Sequence, residues 1–253
     1  MDHRRLVCIV LLLFGLSGCQ PWQTMKEIYR GTIFPADVDV GGKANVGEDI
    51  RSLARKITSV DAQLEELIRS AKRLDNPSPS ELQDVLSKFS WLNGGAVFDA
   101  SGQLQHQVPA QPIKDISEIA LKDGLFDPLT EISLRVMDMD LGPEMCLIRP
   151  IRDGDQVIAY AVLHFDPRSL FGQFPDPQDL VVMYRDTVIW SRMGAQTETK
   201  IQEMNWTQKL QDKVQGELTV HEDSFVWLAR YVGERPLVYL IRKGDTDGDG
   251  QGA

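Results

Sequence analysis

The chain has 253 residues, of which 42% are hydrophobic and 25% are charged. This composition excludes an intrinsically disordered chain, and the length suffices for one large domain or two small domains with apolar cores. The formal net charge is −10, whereas nucleic-acid binding needs a clustered basic surface. We therefore expect no nucleic-acid partner.

The first segment has the organisation of an export signal. Basic residues at positions 4 and 5 precede an apolar run over 6–14, which is too short to cross a membrane as a helix. Leu16-Ser17-Gly18-Cys19 then resembles the lipobox of bacterial lipoproteins, in which the cysteine becomes the acylated mature N-terminus. The resemblance implies a lipid anchor at Cys19, with acyl chains such as palmitate. The alternatives are an ordinary signal peptide and an uncleaved anchor.

The lipobox resemblance also implies a location. A lipid on Cys19 attaches the protein to the bacterial cell envelope, with the mature chain facing the periplasm. Gln20 after the cysteine favours the outer membrane over the inner one. Once Cys8 leaves with the signal, Cys146 has no intramolecular partner, and its apolar neighbours predict a buried, inert thiol.

The clearest periodic pattern in the chain runs from Glu48 to Asp75. Apolar residues recur at alternating spacings of three and four residues, which predicts one long amphipathic helix. Its apolar seam could cover a sheet of the same chain, or it could form a parallel coiled-coil homodimer or another partner contact. The seam consists of Ile50, Leu53, Ile57, Val60, Leu64, Leu67, Ala71 and Leu74.

The next hundred residues alternate between helices and paired strands. Pro77 ends the long helix, and Ser78 with Glu81 forms a capping box that begins the next one. An Asp-Ala-Ser-Gly turn at 99–102 and an Asp-Gly-Asp turn at 153–155 predict two hairpins. The predicted elements are a helix from Pro79, a hairpin over 95–108, a helix over 113–122, and strands over 131–137, 145–152 and 156–166.

After the Pro175-Asp176-Pro177 break the pattern restarts. Short loops between consecutive strands predict an antiparallel meander, so the fold class is α+β. The predicted elements are strands over 180–184 and 187–191, a polar helix over 199–214, and strands over 217–221, 225–231 and 237–242.

This order of elements resembles the extracytoplasmic Cache domains of bacterial sensors, which have a PAS-like core. The resemblance rests on the long helix, the Phe-Asp-Ala-Ser-Gly turn at 98–102, the Pro-Ile-Arg-Asp-Gly-Asp hairpin at 150–155 and Arg-Ser-Leu-Phe at 168–171. It implies a long N-terminal helix packed on PAS-like antiparallel sheets, with a second, smaller α+β module. Cache sensors usually lie between two transmembrane helices, and the lipobox departs from that arrangement.

The same resemblance implies a domain organisation. The helix belongs to a membrane-distal module, and the smaller module follows it. The predicted divisions are a signal peptide over 1–18, a tether over 19–47, the helix plus the first module over 48–175, the second module over 176–243 and an acidic disordered tail over 244–253.

The implied function is sensory and non-enzymatic. The protein would bind a small molecule or a partner and signal through another membrane or periplasmic protein. The alternative is a structural or assembly lipoprotein of the envelope that uses the fold as a protein-docking platform. The sequence contains no Gly-x-Ser-x-Gly elbow, phosphate-binding glycine loop or paired-histidine metal motif, so we expect no cofactor.

Candidate ligand-binding residues lie on the predicted strands. Arg149 is the favoured anchor for a small carboxylate or an amino acid, because a guanidinium can bind a carboxylate through two hydrogen bonds. His164 could belong to this pocket, or it could be a buried histidine that is hydrogen-bonded to a neighbouring residue. The other candidates are Arg152 and Tyr160 on the same strand pair, and Trp190, Trp227 and Tyr231, which could instead be core residues.

The acidic C-terminal residues resemble the first half of an EF-hand loop. Asp245, Asp247 and Asp249 take the first three carboxylate positions, and Gly250 takes the sixth. A glutamate at position 12 is missing before Ala253. We therefore favour an acidic tail over a calcium site and expect no metal.

Overall fold

The computed structural model of the protein describes residues 47–117, 131–232 and 235–243. In these ranges the chain alternates helices with antiparallel strands, and the predicted α+β class is confirmed. The helices are α1 (Glu48–Ala71), α2 (Pro79–Lys88), α3 (Pro167–Phe171), α4 (Ala195–Gln202) and α5 (Trp206–Asp212). None of these described helices is long and apolar enough to cross a membrane.

The strands form two antiparallel sheets of five strands each, and both match the predicted hairpin order. The first sheet has the order β2-β1-β5-β4-β3, and the second has the order β7-β6-β10-β9-β8. The first sheet contains β1 (Gly94–Asp99), β2 (Leu104–Val108), β3 (Ser133–Met137), β4 (Glu144–Asp153) and β5 (Gln156–Phe165). The second contains β6 (Leu180–Tyr184), β7 (Thr187–Ser191), β8 (Gln215–Val220), β9 (Asp223–Val232) and β10 (Arg235–Arg242).

The seam of α1 is buried by the chain's own sheets. All eight seam residues from Ile50 to Leu74 are at most 8% exposed, and they share one apolar core with residues of both sheets. The interpretation of this seam as a coiled-coil homodimer contact or partner surface is therefore wrong. The helix also ends at Ala71, a few residues before the predicted end at Asp75.

The start of α2 confirms the capping-box prediction. The backbone N–H of Glu81 donates to the Ser78 hydroxyl, and the backbone N–H of Ser78 donates to the Glu81 carboxylate at 2.8 Å. Pro79 occupies the first helical position, where a missing N–H has no consequence. Local sequence alone therefore decides where this helix begins.

Two predicted helices differ from the structure. Residues 113–117 are irregular rather than helical: the Asp115 carboxylate accepts from the backbone N–H of Ser117, and this local hydrogen bond competes with helical geometry. Residues 118–122 lie outside the described ranges. The helix predicted over 199–214 is two helices, because the Asn205 side chain accepts from the backbone N–H of Gln208 and begins α5 anew.

The second sheet is covered on both faces. One face belongs to the core shared with α1, and the other packs against α4 and α5. Trp206 is buried in that second core, at 1% exposure, and its Nε1 donates to the Ile201 carbonyl at 2.7 Å.

The face of the first sheet that is turned away from α1 leads to the candidate functional site. The middle of that face is apolar and closed. It consists of Ala96, Phe98, Ile116, Met137, Cys146, Ile148, Tyr160 and Val162. Burial raises the pKa of the Cys146 thiol, as expected for the inert cysteine predicted from its neighbours.

Candidate functional site

The structure does not bring Arg149 and Tyr160 together. Arg149 lies on the same face of β4 as Leu147 and Ile151, which face α1, whereas Tyr160 belongs to the apolar cluster on the opposite face. The Nη1 of Arg149 is buried without a hydrogen-bond partner among the described residues. A pocket that uses both side chains is therefore excluded by the alternation of the strands.

The other predicted residues are also dispersed. Arg152 is exposed at the β4–β5 turn, where its Nη1 donates to the Asp155 carbonyl. Trp190 and Trp227 are buried on opposite faces of the second sheet, so they do not share a pocket. Cys19 and the three acidic residues Asp245, Asp247 and Asp249 lie outside the described residues.

Tyr231 is 45% exposed and lines a groove between α1 and β9. In this groove the Asp61 carboxylate accepts from Arg230 Nε at 2.9 Å and from the Tyr239 hydroxyl at 3.4 Å. Burial raises the pKa of Asp61, although the positive charge of Arg230 opposes the effect. The pair of Asp61 and Arg230 joins α1 to the second sheet.

His164 is part of a buried polar cluster centred on Glu144. The Glu144 carboxylate is inaccessible and accepts from His164 Nδ1 at 2.7 Å, from Asn93 Nδ2 at 2.9 and 3.1 Å, and lies 3.1 Å from Lys114 Nζ. Because a carboxylate only accepts, the proton of this contact lies on Nδ1 of the imidazole. The cluster lies at the end of the apolar face, and it joins the loop around Lys114 to β4 and β5.

Asp166 forms the second half of this cluster. Its Oδ1 accepts from the backbone N–H of Arg168 at 2.8 Å and from Arg168 Nε at 2.9 Å. Its Oδ2 accepts from Lys114 Nζ at 2.6 Å and from Arg168 Nη2. Burial alone would raise the pKa of Asp166, but the hydrogen bonds from Arg168 and Lys114 outweigh burial and lower it to about 2.

Lys114 is the residue that connects both carboxylates. Its side chain is only 3% exposed, and besides Asp166 and Glu144 it donates to the carbonyls of Gly142 and Pro143 at 3.1 and 2.8 Å. The sequence placed Lys114 on an amphipathic helix and gave no indication of this role. The cluster combines four separate segments of the chain, so no local motif could have revealed it.

Gly94 makes room for the cluster. It lies opposite His164 in the β1–β5 register, and a Cβ at this position would lie 2.4 Å from His164 Nε2 and 2.9 Å from the Val108 carbonyl. Any larger residue would have to displace the imidazole or the neighbouring strand. The glycine thus has a packing role that its place in a strand would not suggest.

A cleft of about 340 Å³ opens above the cluster. Its mouth carries two aliphatic side chains, since Ile113 is 85% exposed and Leu141 is 56% exposed. Arg168 stands between the polar floor and the solvent, with a side chain that is 61% exposed. The cleft is lined by Asn93, Ile113, Lys114, Leu141, Asp166, Arg168 and Ser169.

The cleft suits a small polar ligand better than a metal. Within the described ranges, no group of three or more His, Cys, Asp or Glu side chains could hold a metal ion. The carboxylates of Asp166 and Glu144 are already bound by cations and amides of the protein. The mouth of the cleft is formed by the Arg168 guanidinium and the aliphatic side chains of Ile113 and Leu141.

The low pKa of Asp166 predicts a specific acid sensitivity. Its pKa is about 2 in the folded protein against an ordinary 3.8, so its stabilising contribution is complete above pH 3.8 and is lost as the pH falls towards 2. In Asp166→Asn that part of the pH dependence is expected to vanish. Urea unfolding of both proteins between pH 2 and 5 measures it, and parallel pH profiles would contradict the assignment.

Comparisons with known proteins bear on the fold alone. No protein-family model matches the chain, and no curated protein matches it. An extracellular ligand binding receptor from Desulfohalobium retbaense has a TM-score of 0.55 at 14% identity over 80% of this chain. This chain spans only 41% of that receptor's length.

In two further solved structures, the match covers most of the length of the matched domain. A domain of a sensory box/GGDEF family protein from Vibrio parahaemolyticus has a TM-score of 0.53 at 12% identity, covering 79% of this chain and 96% of that domain. The extracellular domain of the histidine kinase vpHK1S-Z8 has a TM-score of 0.52 at 14% identity, covering 77% of this chain and 89% of that domain. The chain therefore has the α+β fold of extracellular Cache/PAS-like sensor domains.

Proposed function

We propose that this chain is a lipid-anchored sensory protein of the bacterial envelope that binds a small molecule in the cleft beside Arg168. Cys19 would carry the lipid, with the sensor facing the periplasm from the outer membrane. The ligand site belongs to the module over 48–175, and the smaller module over 176–243 follows it. Because a lipid enters only one leaflet, the signal would pass by contact to a separate membrane protein.

The cleft is the observation that carries this proposal. Ligand sites are concave, mostly apolar and supplied with a few fixed polar groups. Here Arg168 is held by Asp166 and by the Leu141 carbonyl, to which its Nη2 donates at 2.8 Å. A guanidinium held in this way needs little further ordering when a ligand binds, which favours affinity.

A thermal-shift screen of the unlipidated mature chain tests ligand binding. Against amino acids, carboxylates and other small metabolites, we expect at least one compound to raise the unfolding midpoint, since a ligand that binds only the folded state stabilises it. Arg168→Gln should remove that shift, whereas Arg55→Gln, which changes an exposed arginine of α1, should keep it. A flat response across the panel would overturn small-molecule sensing.

The lipid anchor has its own test. In the full-length chain, Cys19→Ala is expected to move the protein from the membrane fraction to the soluble fraction, because the acyl chains supply the membrane affinity. Cys8→Ala, within the apolar run of the signal, is the matched control and should remain in the membrane fraction. Fractionation that does not change in Cys19→Ala would contradict lipidation at this residue.

A docking platform is the second candidate function, and the exposure of Ile113 and Leu141 favours it. Two exposed aliphatic side chains beside an arginine have the composition of a protein-interaction surface. Crosslinking in the envelope tests this function: a partner captured by wild type and lost in Ile113→Ser, together with a flat ligand screen, would favour docking over sensing.

A further inference from the structure

The cleft beside Arg168 has no carboxylate oxygen left for a ligand. Each carboxylate oxygen accepts about two hydrogen bonds. Both oxygens of Asp166 receive two each, from Arg168 and Lys114, and the contacts of Glu144 with His164, Asn93 and Lys114 fill its two oxygens in the same way. A ligand ammonium entering the cleft would therefore find no anionic acceptor.

The floor of the cleft also disfavours a ligand cation. The ammonium of Lys114 lies 2.6 Å from Asp166 and is held by the backbone carbonyls of Gly142 and Pro143. A second ammonium would have to replace it or lie close to two like charges, those of Lys114 and Arg168. Either arrangement costs the hydration of the ligand cation without a compensating ion pair.

A ligand carboxylate, by contrast, finds a prepared donor. Arg168 uses Nε and Nη2 on Asp166 and the Leu141 carbonyl, and its Nη1 makes no hydrogen bond to the described residues. The guanidinium plane is therefore fixed while two N–H groups remain available on its outer side. A charge-assisted hydrogen bond to a fixed donor is among the stronger polar contacts of proteins.

The mouth of the cleft specifies the other end of the ligand. Ile113 and Leu141 are 85% and 56% exposed on the same cleft. Covering them with an aliphatic chain removes apolar surface from water, which favours binding in proportion to the area covered. The volume of about 340 Å³ suits a short chain.

We infer that the ligand of this cleft is a short aliphatic monocarboxylate without an amino group, an inference that rests on the proposed function. Its carboxylate binds Arg168 Nη1, and its chain covers Ile113 and Leu141. Lys114 excludes α-amino acids, because it already neutralises Asp166. The cleft thus distinguishes two classes of compound that differ only by an ammonium group.

Titration calorimetry with matched compounds tests this assignment. The probes are 4-methylpentanoate, L-leucine, which has the same carbon skeleton plus an ammonium, and 4-methylpentanamide, which lacks the carboxylate. We expect 4-methylpentanoate to bind the unlipidated mature chain, with leucine and the amide each weaker by about tenfold or more, since an unpaired or missing charge costs at least that much.

Variants locate the site and separate the possible failures. Arg168→Gln should weaken 4-methylpentanoate about tenfold or more, whereas Arg55→Gln should not. Leucine binding at least as tightly as 4-methylpentanoate would overturn the ligand class and leave small-molecule sensing intact. Failure of every compound in the broader thermal-shift panel would overturn sensing itself.

Lys114→Met gives an independent readout. This substitution removes one of the two hydrogen bonds that Asp166 Oδ2 accepts, so leucine should gain affinity relative to 4-methylpentanoate. An unchanged ratio in a folded variant would contradict the role assigned to Lys114. If Lys114→Met does not fold, the comparison of leucine with 4-methylpentanoate on the wild-type chain decides the inference alone.

Discussion

Glu144→Ala is expected to lower the free energy of unfolding by about 3–5 kcal/mol, which is the usual cost of removing one partner from a buried ion pair. The carboxylate is fully buried, and its removal leaves the ammonium of Lys114, the amide of Asn93 and the imidazole of His164 without their shared acceptor. These groups lie where water cannot replace the lost hydrogen bonds. The effect should therefore exceed that of any exposed charge in the chain.

Urea unfolding at neutral pH measures this difference. Glu131→Ala is the matched control, because Glu131 also accepts from a lysine, Lys72, at 2.8 Å but its side chain is 72% exposed. Exposed pairs of this kind contribute about 0–1 kcal/mol. If the two alanine variants lose similar stability, the Glu144 cluster does not hold the loop around Lys114 as described.

Ile57→Ala is expected to lower the free energy of unfolding by about 2–5 kcal/mol, because it removes three buried carbons and leaves a cavity in a packed core. Ile57 is fully buried in the middle of the α1 seam, in the core that contains residues of both sheets. The side chain therefore stabilises the link between the sheets as well as the helix. If the seam were instead an interface between two copies of the chain, the stability of the protein would depend on its concentration.

Denaturant unfolding at several protein concentrations separates these cases. With the seam buried within one chain, the midpoint should not depend on protein concentration, whereas a seam shared by two chains would raise it with concentration. Ser59→Ala changes an exposed residue of the same helix and should stay within about 0.5 kcal/mol of wild type. A concentration-dependent midpoint would contradict the burial of the seam within a single chain.

Local patterns predicted much of the fold. The seam spacing located α1, the Ser78–Glu81 capping box located α2, and the turn residues at 99–102 and 153–155 located the hairpins of the first sheet. Such features depend on residues a few positions apart, so they can be recognised without knowing the tertiary structure. The two incorrect helices lay where short-range side-chain bonds from Asp115 and Asn205 interrupt the helical pattern.

The candidate site was predicted less well than the fold. Arg149, the favoured anchor, is on the strand that borders the site, but alternation turns it towards α1. His164 is in the polar cluster, and its partner Glu144 lies on the neighbouring strand, two residues before Cys146, which is the register partner of His164. Strand register decides such pairings, and the sequence does not specify register residue by residue.

The sequence by itself determined the α+β class, the long helix, the hairpin order and the lipobox resemblance at Cys19, because each depends on residues that are close together in the sequence. Only the tertiary structure decided that the helix seam is covered by both sheets, and that Asn93, Lys114, Glu144 and Asp166 meet in one buried cluster. The physical reason is that burial and charge pairing depend on which distant segments share a face. A lysine on a surface loop and a lysine neutralised in the interior look the same until the chain has folded around them.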